Sequence, residues 1–334
     1  MKHIKSMKNV ILLADSKTPA WEFATKIQNH INETKEEDVP LKEISINYFR
    51  NKEIDMHIES NIRKKDVYFI HDSNKNPQEW WVELLLIKDL LLSASAESVS
   101  FVLPNMLYSR KDRKEKSRVP ISSRALANTI SPGLKRIITM DLHAAQIQGF
   151  YPSSVPLDNL YSFPEVVRRL TQNDLNDFES LVIVSPDAGG AERAKAFLQR
   201  LEKTDFGYQK KDFFFALISK TRSQPGEIGK MELVGDVKNK DAIIIDDLID
   251  SGKTLCAAAD LLKEKGAKKV FCYATHGLFT CGTESLLEKF DKILVSNTHP
   301  QEENKELELI DVSPTFAEAI YRAQKGLSVS RLFS

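Results

Sequence analysis

Short apolar runs of strand length alternate with helix-like segments along almost the whole chain, and this alternation restricts the possible folds more than any other feature. Strands connected by helices form mainly parallel sheets, which helices cover on both faces. The predicted buried strands are Val10–Leu13, Val67–Ile70, Val99–Leu103, Ile137–Met140, Leu181–Val184, Phe213–Ile218, Ala242–Ile245 and Val270–Tyr273. The predicted helices are Trp80–Leu92, Arg124–Ser131, Glu192–Leu201 and Leu255–Lys265. We therefore expect an α/β protein.

The length of the chain, 334 residues, suits about two domains of ordinary size, so two sheets fit it better than one. A turn-rich stretch, YPSSVPLDN, ends at Asn159 and marks the main boundary. We predict an N-terminal α/β domain over 1–158 and a C-terminal α/β domain over 159–321. The tail, 322–334, is expected to pack on the N-terminal domain.

The charge of the chain is balanced, with 47 Lys and Arg against 47 Asp and Glu. This balance argues against general binding to nucleic acid or to a membrane surface, which would favour a basic excess. No apolar run approaches the roughly 20 residues that a membrane-spanning helix needs, and the N-terminus is a poor signal peptide. The three cysteines lack metal-like CxxC spacing and suit a reduced compartment. We expect a cytoplasmic protein.

A strand, two acids, a short turn and a helix follow one another in AIIIDDLIDSGKTLCAAAD. Backbone N–H groups in such a turn and the positive end of the helix bind anions, and Ser251 and Thr254 add hydroxyl donors. Asp246 and Asp247 come at the carboxyl end of the strand, where they can accept hydrogen bonds from sugar hydroxyls. A P-loop needs Gly where Asp247 stands, so we reject that motif. The pattern predicts a sugar-phosphate site, against the alternative that the acids only cap the helix.

Basic side chains concentrate between Arg110 and Arg124, interleaved with Asp112 and Ser117. A basic run in a neutral protein is typical of a solvated loop, but Arg also offers planar bidentate contacts to phosphate. The spacing alone leaves a solvated loop and a polyphosphate site equally open.

Polar residues follow two further predicted strands. His143 comes after Ile137–Met140, and Asp187 comes after Leu181–Val184, ahead of a Gly pair. At the carboxyl end of a strand such residues can contact a metal or a phosphate, and glycines let the backbone approach a ligand. A structural histidine and a plain tight turn are the alternatives.

The polar, Gly-containing segment from Ser219 to Val237 begins with Lys220 and Arg222 at the end of a strand. This arrangement is typical of a mobile lid, whose cations can stabilise charge on a transferring phosphoryl group after closure. The alternative is a simple hairpin.

At these residues the sequence resembles the ribose-phosphate diphosphokinase family, also called phosphoribosyl diphosphate synthetases. The resemblance runs from about Phe49 to Phe333 and rests on the motifs FRNKE, YSRKDRKEKSRVPIS, DLHAAQIQGF, VSPDAGG, KTR, VGDV, DDLIDSGKT, THGLF and SVSRLF. It implies transfer of the β,γ-diphosphoryl group of Mg-ATP to the anomeric hydroxyl of ribose 5-phosphate, giving 5-phosphoribosyl 1-diphosphate and AMP for nucleotide biosynthesis. It also implies two phosphoribosyltransferase-like domains with the active site between them, and homo-oligomers built as dimers within a hexamer.

The resemblance further implies roles for individual residues. The lid cations Lys220 and Arg222 are expected to be catalytic. ATP is expected to contact Phe49, Asn51, Glu53, Arg110, Lys111 and His143, the first three from a neighbouring subunit. Mg²⁺, the one cofactor implied, is associated with His143 and Asp187. Ribose 5-phosphate is expected to contact Asp187, Asp246, Asp247, Asp250, Ser251, Gly252, Lys253 and Thr254. A phosphate-activated, ADP-inhibited regulatory site would involve Ser117, Arg118, Gln148, Asp158, Asn159, Ser328 and Ser330.

The sequence departs from the pattern of the family at four places. Lys111 replaces the usual Gln, Glu192 replaces a Lys, Lys253 replaces a Gly, and HDSNKNPQEWW (71–81) replaces a Gly-rich stretch. These changes concern nucleotide preference, regulation and the hold on the 5-phosphate.

Two other functions stay open at this point. A phosphoribosyltransferase shares the phosphate loop, but it needs neither the FRNKE motif nor the KTR lid nor the SVSRLF tail. A non-catalytic regulatory homologue of the synthetase would be favoured by loss of Lys220, Arg222 or His143, and all three are present.

Overall fold

The structure, a computed structural model, describes residues 6–172, 178–204, 211–220 and 231–333. Contacts within the chain divide it into two compact units, which we call unit 1 (Met1–Tyr161 with Val312–Ser334) and unit 2 (Ser162–Asp311). This division differs from the predicted one at both ends of unit 2. Residues 159–161 and 312–321 belong to unit 1, because they form part of its last strand and most of its C-terminal helix.

Unit 1 contains a six-stranded parallel sheet in the order β2-β1-β5-β6-β7-β8 and a separate two-stranded antiparallel hairpin, β3-β4. The strands are β1 (Val10–Ala14), β2 (Leu41–Glu43), β3 (Ser45–Tyr48), β4 (Ile54–His57), β5 (Asp66–Ile70), β6 (Ser98–Leu103), β7 (Arg136–Met140) and β8 (Leu157–Leu160). The helices are α1 (Pro19–Lys35), α2 (Pro77–Ser93), α3 (Ser122–Ile130) and α8 (Ser313–Lys325).

Apolar and polar contacts both tie the C-terminal helix α8 to unit 1. Phe316 packs edge-on against Phe23 of α1, with ring centroids 5.4 Å apart. The buried Gln324 donates to Asp66 Oδ2 at 2.8 Å and accepts from the Tyr68 hydroxyl at 3.3 Å. Because Asp66 and Tyr68 belong to the inner strand β5, α8 is joined to the sheet of unit 1.

Unit 2 contains a seven-stranded sheet in the order β11-β10-β9-β12-β13-β14-β15, which is parallel except for the edge strand β11. The strands are β9 (Ser180–Ser185), β10 (Asp212–Lys220), β11 (Met231–Val234), β12 (Asp241–Ile249), β13 (Val270–Gly277), β14 (Lys292–Ser296) and β15 (Leu307–Ile310). The helices are α4 (Phe163–Gln172), α5 (Ala191–Glu202), α6 (Lys253–Glu264) and α7 (Glu284–Leu287).

Each unit has its own apolar core. Trp80 and Phe101 are completely buried in unit 1, and Phe197 and Ile244 are completely buried in unit 2. Burial of each such side chain contributes about 1.5–3 kcal/mol relative to exposure. Every strand and helix predicted from the sequence is present, so the predicted α/β architecture is confirmed. None of the helices in the described part of the chain is long and apolar enough to cross a membrane.

Candidate active site

The two acids of unit 2 lie on a strand that extends beyond its neighbour. β12 pairs with β9 as far as Ile244 opposite Val184, whereas it pairs with β13 up to Ile249. The predicted strand ended at Ile245, so the structure corrects the prediction: Asp246 and Asp247 belong to the strand rather than following it. The extension carries both carboxylates past the last residue of β9 that pairs with β12.

Arg193 supplies a positive charge to these acids. Its Nη1 atom lies 3.0 Å from Asp247 Oδ1 and 3.9 Å from Asp246 Oδ1. Arg193 is not among the residues predicted for the site, although it follows Glu192 in the first turn of α5, a helix that starts at the carboxyl edge of the sheet. Glu192 itself is 90% exposed and lies 3.5 Å from Lys195, so its reversed charge points to solvent.

Burial and the neighbouring carboxylate of Asp247 raise the pKa of Asp246 well above its ordinary value of 3.8, and the Arg193 guanidinium opposes this shift only in part. The Asp247 backbone N–H also donates to Asp246 Oδ1 at 2.9 Å. Two adjacent carboxyl groups that are not fully neutralised can accept hydrogen bonds from vicinal hydroxyls or bind a cation. This is the chemistry that a ribose ring or a hard metal ion requires.

Asp187 lies at the carboxyl edge of the adjacent strand β9, in the loop before α5. Its Oδ1 accepts from the Gly190 N–H at 3.0 Å, and its carbonyl oxygen accepts from the Ser185 hydroxyl at 2.7 Å. A Cβ at Gly190 would lie 3.1 Å from Ser185 Oγ, so a side chain there would press on the hydroxyl that donates to Asp187. One carboxylate oxygen of Asp187 therefore shapes its own loop.

The predicted phosphate loop, Asp250–Thr254, is held from two sides. Asp250 accepts from the Thr280 hydroxyl at 2.6 Å and from the Thr280 N–H at 3.1 Å. Gly252 has φ +73°, and a Cβ there would lie 2.7 Å from Leu286 Cδ1. Helix α6 begins at Lys253, two residues before its predicted start, and the side chains of Lys253 and Thr254 are exposed. The first turn of α6 therefore faces solvent, as an anion site at a helix N-terminus requires.

In unit 1, three of the residues predicted to contact ATP, Phe49, Asn51 and Glu53, lie in the turn of the β3-β4 hairpin. The Phe49 N–H donates to the Glu53 carbonyl at 2.8 Å, and the Glu53 N–H donates to Asn51 Oδ1 at 3.2 Å. Lys52 has φ +71°, a left-handed conformation that closes the turn. Phe49 is 55% exposed. The structure therefore presents a large apolar ring on an ordered turn.

The basic loop of unit 1 contacts the segment that carries His143. Asp112 Oδ2 accepts from Gln146 Nε2 at 2.5 Å, and the Lys111 carbonyl accepts from the Ser123 hydroxyl at 2.9 Å. Lys111 Nζ also pairs with Glu115 at 2.6 Å on the surface. Arg110, Lys111 and His143 are all exposed. The contact between Asp112 and Gln146 is an exposed one between side chains, so both interpretations of the loop, a solvated loop and a polyphosphate site, stay open.

The predicted regulatory residues all belong to unit 1. Asp158 on β8 pairs with Arg136, and Asn159 Oδ1 accepts from the Leu142 N–H at 3.0 Å. Gln148 Nε2 donates to the Ala145 carbonyl at 3.0 Å, and the Ser328 and Ser330 hydroxyls lie 2.8 Å apart. The remaining two residues, both exposed, are Ser117 and Arg118.

The predicted lid begins where β10 ends. Lys220 is the last residue of this strand, but its side chain and the whole of Arg222 lie outside the described residues. Within the described ranges, no three His, Cys, Asp or Glu side chains are grouped so that they could hold a metal ion. An ion held by one or two carboxylates and water does not need such a group.

Two mainly parallel sheets, a pair of acids at the carboxyl end of one strand and a loop open to anions ahead of a helix define an α/β enzyme that acts on phosphorylated ligands. Residues 12–132 match the family model of the N-terminal domain of ribose phosphate pyrophosphokinase, and residues 215–334 match that of the phosphoribosyl synthetase-associated domain. The chain belongs to the ribose-phosphate pyrophosphokinase family, as the sequence predicted.

Individual relatives agree with this assignment. The chain is 40% identical over 302 residues to ribose-phosphate pyrophosphokinase 4 of Saccharomyces cerevisiae, which covers 89% of this chain and 88% of that protein. It is 39% identical over 320 residues to ribose-phosphate pyrophosphokinase 2 of Schizosaccharomyces pombe, covering 94% of each. The crystal structure of phosphoribosylpyrophosphate synthetase from Mycobacterium smegmatis has a TM-score of 0.81 at 31% identity and covers 96% of this chain and all of that one. The predicted fold class and enzyme class are therefore confirmed.

Proposed function

We propose that this chain transfers the β,γ-diphosphoryl group of ATP to the anomeric hydroxyl of ribose 5-phosphate, giving 5-phosphoribosyl 1-diphosphate and AMP for nucleotide biosynthesis. The hydroxyl oxygen bonds to the β-phosphorus, the bond to the α,β-bridging oxygen breaks, and the hydroxyl proton is released. The observation that carries the proposal is the end of β12, where a carboxyl pair held by Arg193 leads directly into a phosphate loop.

Unit 2 holds the acceptor. Asp246 and Asp247 accept hydrogen bonds from the ring hydroxyls of ribose 5-phosphate, and the N–H groups at Ser251–Thr254 bind its phosphate. The exposed Lys253 adds a positive charge at the first position of α6. Asp187 completes the carboxyl edge beside them. This division of roles follows the chemistry, because hydroxyls need acceptors whereas phosphate needs donors.

Unit 1 provides the contacts to ATP. The adenine is bound from a neighbouring subunit, whose Phe49 stacks on the ring and whose Asn51 and Glu53 bind its polar edge. Arg110 and Lys111 contact the phosphates. His143, beside the same loop, donates to a phosphate oxygen. Diphosphoryl transfer depends mainly on positioning and on neutralising charge, which suits this set of side chains.

Magnesium ions fit the carboxyl edge of unit 2 in donor chemistry, because Mg²⁺ prefers oxygen ligands and Asp187, Asp246 and Asp247 offer carboxylates there. When bound, Mg²⁺ would offset negative charge on the phosphates. The imidazole of His143 is a less suitable ligand for this ion. His143, which is predicted at the metal together with Asp187, would therefore contact the metal-bound nucleotide.

The lid cations Lys220 and Arg222 stabilise the transferring group. Replacing both with Ala should lower turnover by about 1,000-fold or more, in the range known for cations that stabilise phosphoryl transfer, while the affinity for ribose 5-phosphate stays almost unchanged. Unchanged turnover in this double variant would contradict the role assigned to the two cations.

The finer biological features follow the family. We propose a homo-oligomer built as dimers within a hexamer, supported by the exposed Phe49, Val82 and Leu86 of unit 1. We also propose a cytoplasmic protein whose phosphate and ADP response involves the seven regulatory residues named above.

One assay tests the reaction itself. Purified full-length protein is incubated with Mg-ATP and ribose 5-phosphate, and AMP is measured. Release of AMP that depends on ribose 5-phosphate supports the synthetase. Without it the protein is either a non-catalytic homologue or a phosphoribosyltransferase, and production of diphosphate from 5-phosphoribosyl 1-diphosphate and a nucleobase would identify the latter.

A further inference from the structure

Glu83 of α2 is a carboxylate that is completely buried in unit 1. Its Oε1 atom accepts from the Tyr48 hydroxyl at 2.9 Å and from Lys75 Nζ at 2.7 Å. Tyr48 is the last residue of β3 and directly precedes Phe49. Glu83 therefore joins three separate parts of unit 1, namely α2, the loop after β5 and the hairpin turn.

Lys75 is the cation that compensates the buried charge. Its side chain is only 13% exposed in the ion pair with Glu83. His71 Nε2 also lies 3.3 Å from Glu83 Oε2, but burial lowers the pKa of His71 to about 3, so this imidazole is neutral. A buried carboxylate needs a counter-charge to stay ionised, and Lys75 provides it. The segment 71–81, which replaces a Gly-rich stretch, thus supplies both Lys75 and His71.

The hairpin needs such an anchor, because most polar contacts of its turn are internal. The N–H groups of Phe49 and Glu53 both bond within the turn. Apolar packing holds the two strands of the hairpin, where Ile46 is buried and Ile54 and Met56 pack half-buried against the core, but Phe49 in the turn itself is 55% exposed. Another side-chain link, Lys17 Nζ to Asn47 Oδ1 at 2.9 Å, is exposed. The hydrogen bond from Tyr48 to a buried charge is therefore the strongest polar tie next to the turn.

We propose that Tyr48, Lys75 and Glu83 act as a positioning group that fixes the Phe49–Glu53 turn and so sets the affinity for the adenine nucleotide. The inference rests on the proposed function, which assigns this turn to adenine. Tyr48 and Glu83 do not touch the nucleotide themselves. They restrict the directions in which Phe49 can present its ring, so that less conformational freedom is lost when ATP binds.

The test compares Tyr48→Phe, Lys75→Met and Lys75→Met/Glu83→Gln with the wild-type holoenzyme in Mg²⁺. Tyr48→Phe should raise KM for ATP about tenfold, the factor that corresponds to one hydrogen bond to a charged group, with kcat and KM for ribose 5-phosphate almost unchanged. Amide exchange over residues 45–57 should become faster. Lys75→Met should likewise raise KM for ATP and speed amide exchange over residues 45–57. The double variant Lys75→Met/Glu83→Gln should partly restore both, because it has no uncompensated charge at position 83 and keeps an acceptor for the Tyr48 hydroxyl.

Tyr151→Phe is the control, since it removes the hydroxyl of another tyrosine of unit 1, one that is buried in the core and contacts Met106 Sδ at 3.7 Å, away from the hairpin. It should leave KM for ATP and the exchange of 45–57 unchanged. A purely structural role for Tyr48 would shift thermal stability in both Tyr variants alike and leave KM for ATP unchanged, which overturns the proposal. If wild-type protein releases no AMP, the proposed reaction fails, and equilibrium binding of ATP to Tyr48→Phe together with amide exchange still decides this inference.

Discussion

Gly252 allows a sharp test of the phosphate loop, because its backbone and its surroundings both exclude a side chain. It has φ +73°, and a Cβ would lie 2.7 Å from Cδ1 and 2.8 Å from Cγ of Leu286, which is completely buried. The left-handed conformation costs about 1–2 kcal/mol for a non-Gly residue. Overpacking a filled site adds about 1–3 kcal/mol. Gly252→Ala should therefore destabilise unit 2 by about 2–5 kcal/mol.

Gly266 is the matched control at the other end of α6. It has φ +89°, but the nearest atom to its Cβ position is Lys238 Cγ at 3.4 Å, an ordinary contact. Gly266→Ala should thus lower the stability of unit 2 only by the cost of the left-handed backbone, about 1–2 kcal/mol. The difference between the two variants isolates the contact with Leu286. Shortening that side chain in Gly252→Ala/Leu286→Ala should be less destabilising than the sum of the single changes.

Urea unfolding followed by far-UV circular dichroism, together with amide exchange of β12 and α6, measures these effects. Tryptophan fluorescence is unsuitable, because Trp21, Trp80 and Trp81 all belong to unit 1. Gly252→Ala should also raise KM for ribose 5-phosphate, whereas Gly266→Ala should not. Equal losses of stability in the two single variants would refute the reasoning, since Leu286 would then have moved without cost.

Three further changes test the charges of unit 2. Because the folded pKa of Asp246 is raised, the stabilising effect of its protonated form is complete below its ordinary value of 3.8 and is lost as the pH rises through the folded pKa. Asp246→Asn should therefore unfold at higher urea than wild type at neutral pH, and a difference that fails to shrink on acidification would contradict this. Arg193→Met should destabilise unit 2 by up to about 3 kcal/mol, because it removes a cation that lies 3.0 Å from Asp247 and 3.9 Å from Asp246, and the loss should diminish when Asp246 is also replaced with Asn. Lys253→Gly should raise KM for ribose 5-phosphate about threefold, the effect of one surface cation, with Lys253→Arg as control; an unchanged KM would show that Lys253 points to solvent.

Local sequence patterns predicted the buried strands well, because a parallel strand covered on both faces is a continuous apolar run. The same rule explains the error at β12. Asp246 and Asp247 interrupt the apolar run, so the prediction ended at Ile245, but β13 continues to pair along one side up to Ile249. Seven strands of the described part of the chain escaped prediction. Six of them are mostly half-buried or exposed, or are buried only at their ends, namely β2, β3, β4, β8, β11 and β15. The seventh, β14, is almost wholly buried and escaped prediction although its run Ile293–Val295 is apolar.

Long-range contacts determine two features that local patterns do not predict, the boundary of unit 2 and the cation beside the acids. Gln324, which binds Asp66 and Tyr68 on β5, lies in the tail that is expected to pack on the N-terminal domain. No local pattern indicates that 312–321 belong with it, so the predicted boundary at 321 lies ten residues after the end of unit 2 at 311. Arg193 shows the same limit at the site. The acids and Gly252 follow from a local motif, whereas the cation that holds the acids depends on how closely α5 approaches β12.

Glu83 and Asp246 both have raised pKa values, but Glu83 positions the hairpin turn of unit 1, whereas Asp246 can bind a ligand in unit 2. Burial raises the pKa of both Glu83 and Asp246. Glu83 is completely buried, and its carboxylate already pairs with Lys75 Nζ at 2.7 Å and accepts from the Tyr48 hydroxyl at 2.9 Å. Asp246 is 23% exposed, and Arg193 Nη1 lies 3.9 Å from it. Its charge is the less compensated of the two, and a ligand that brings hydroxyl donors or a cation would therefore gain more at Asp246 than at Glu83.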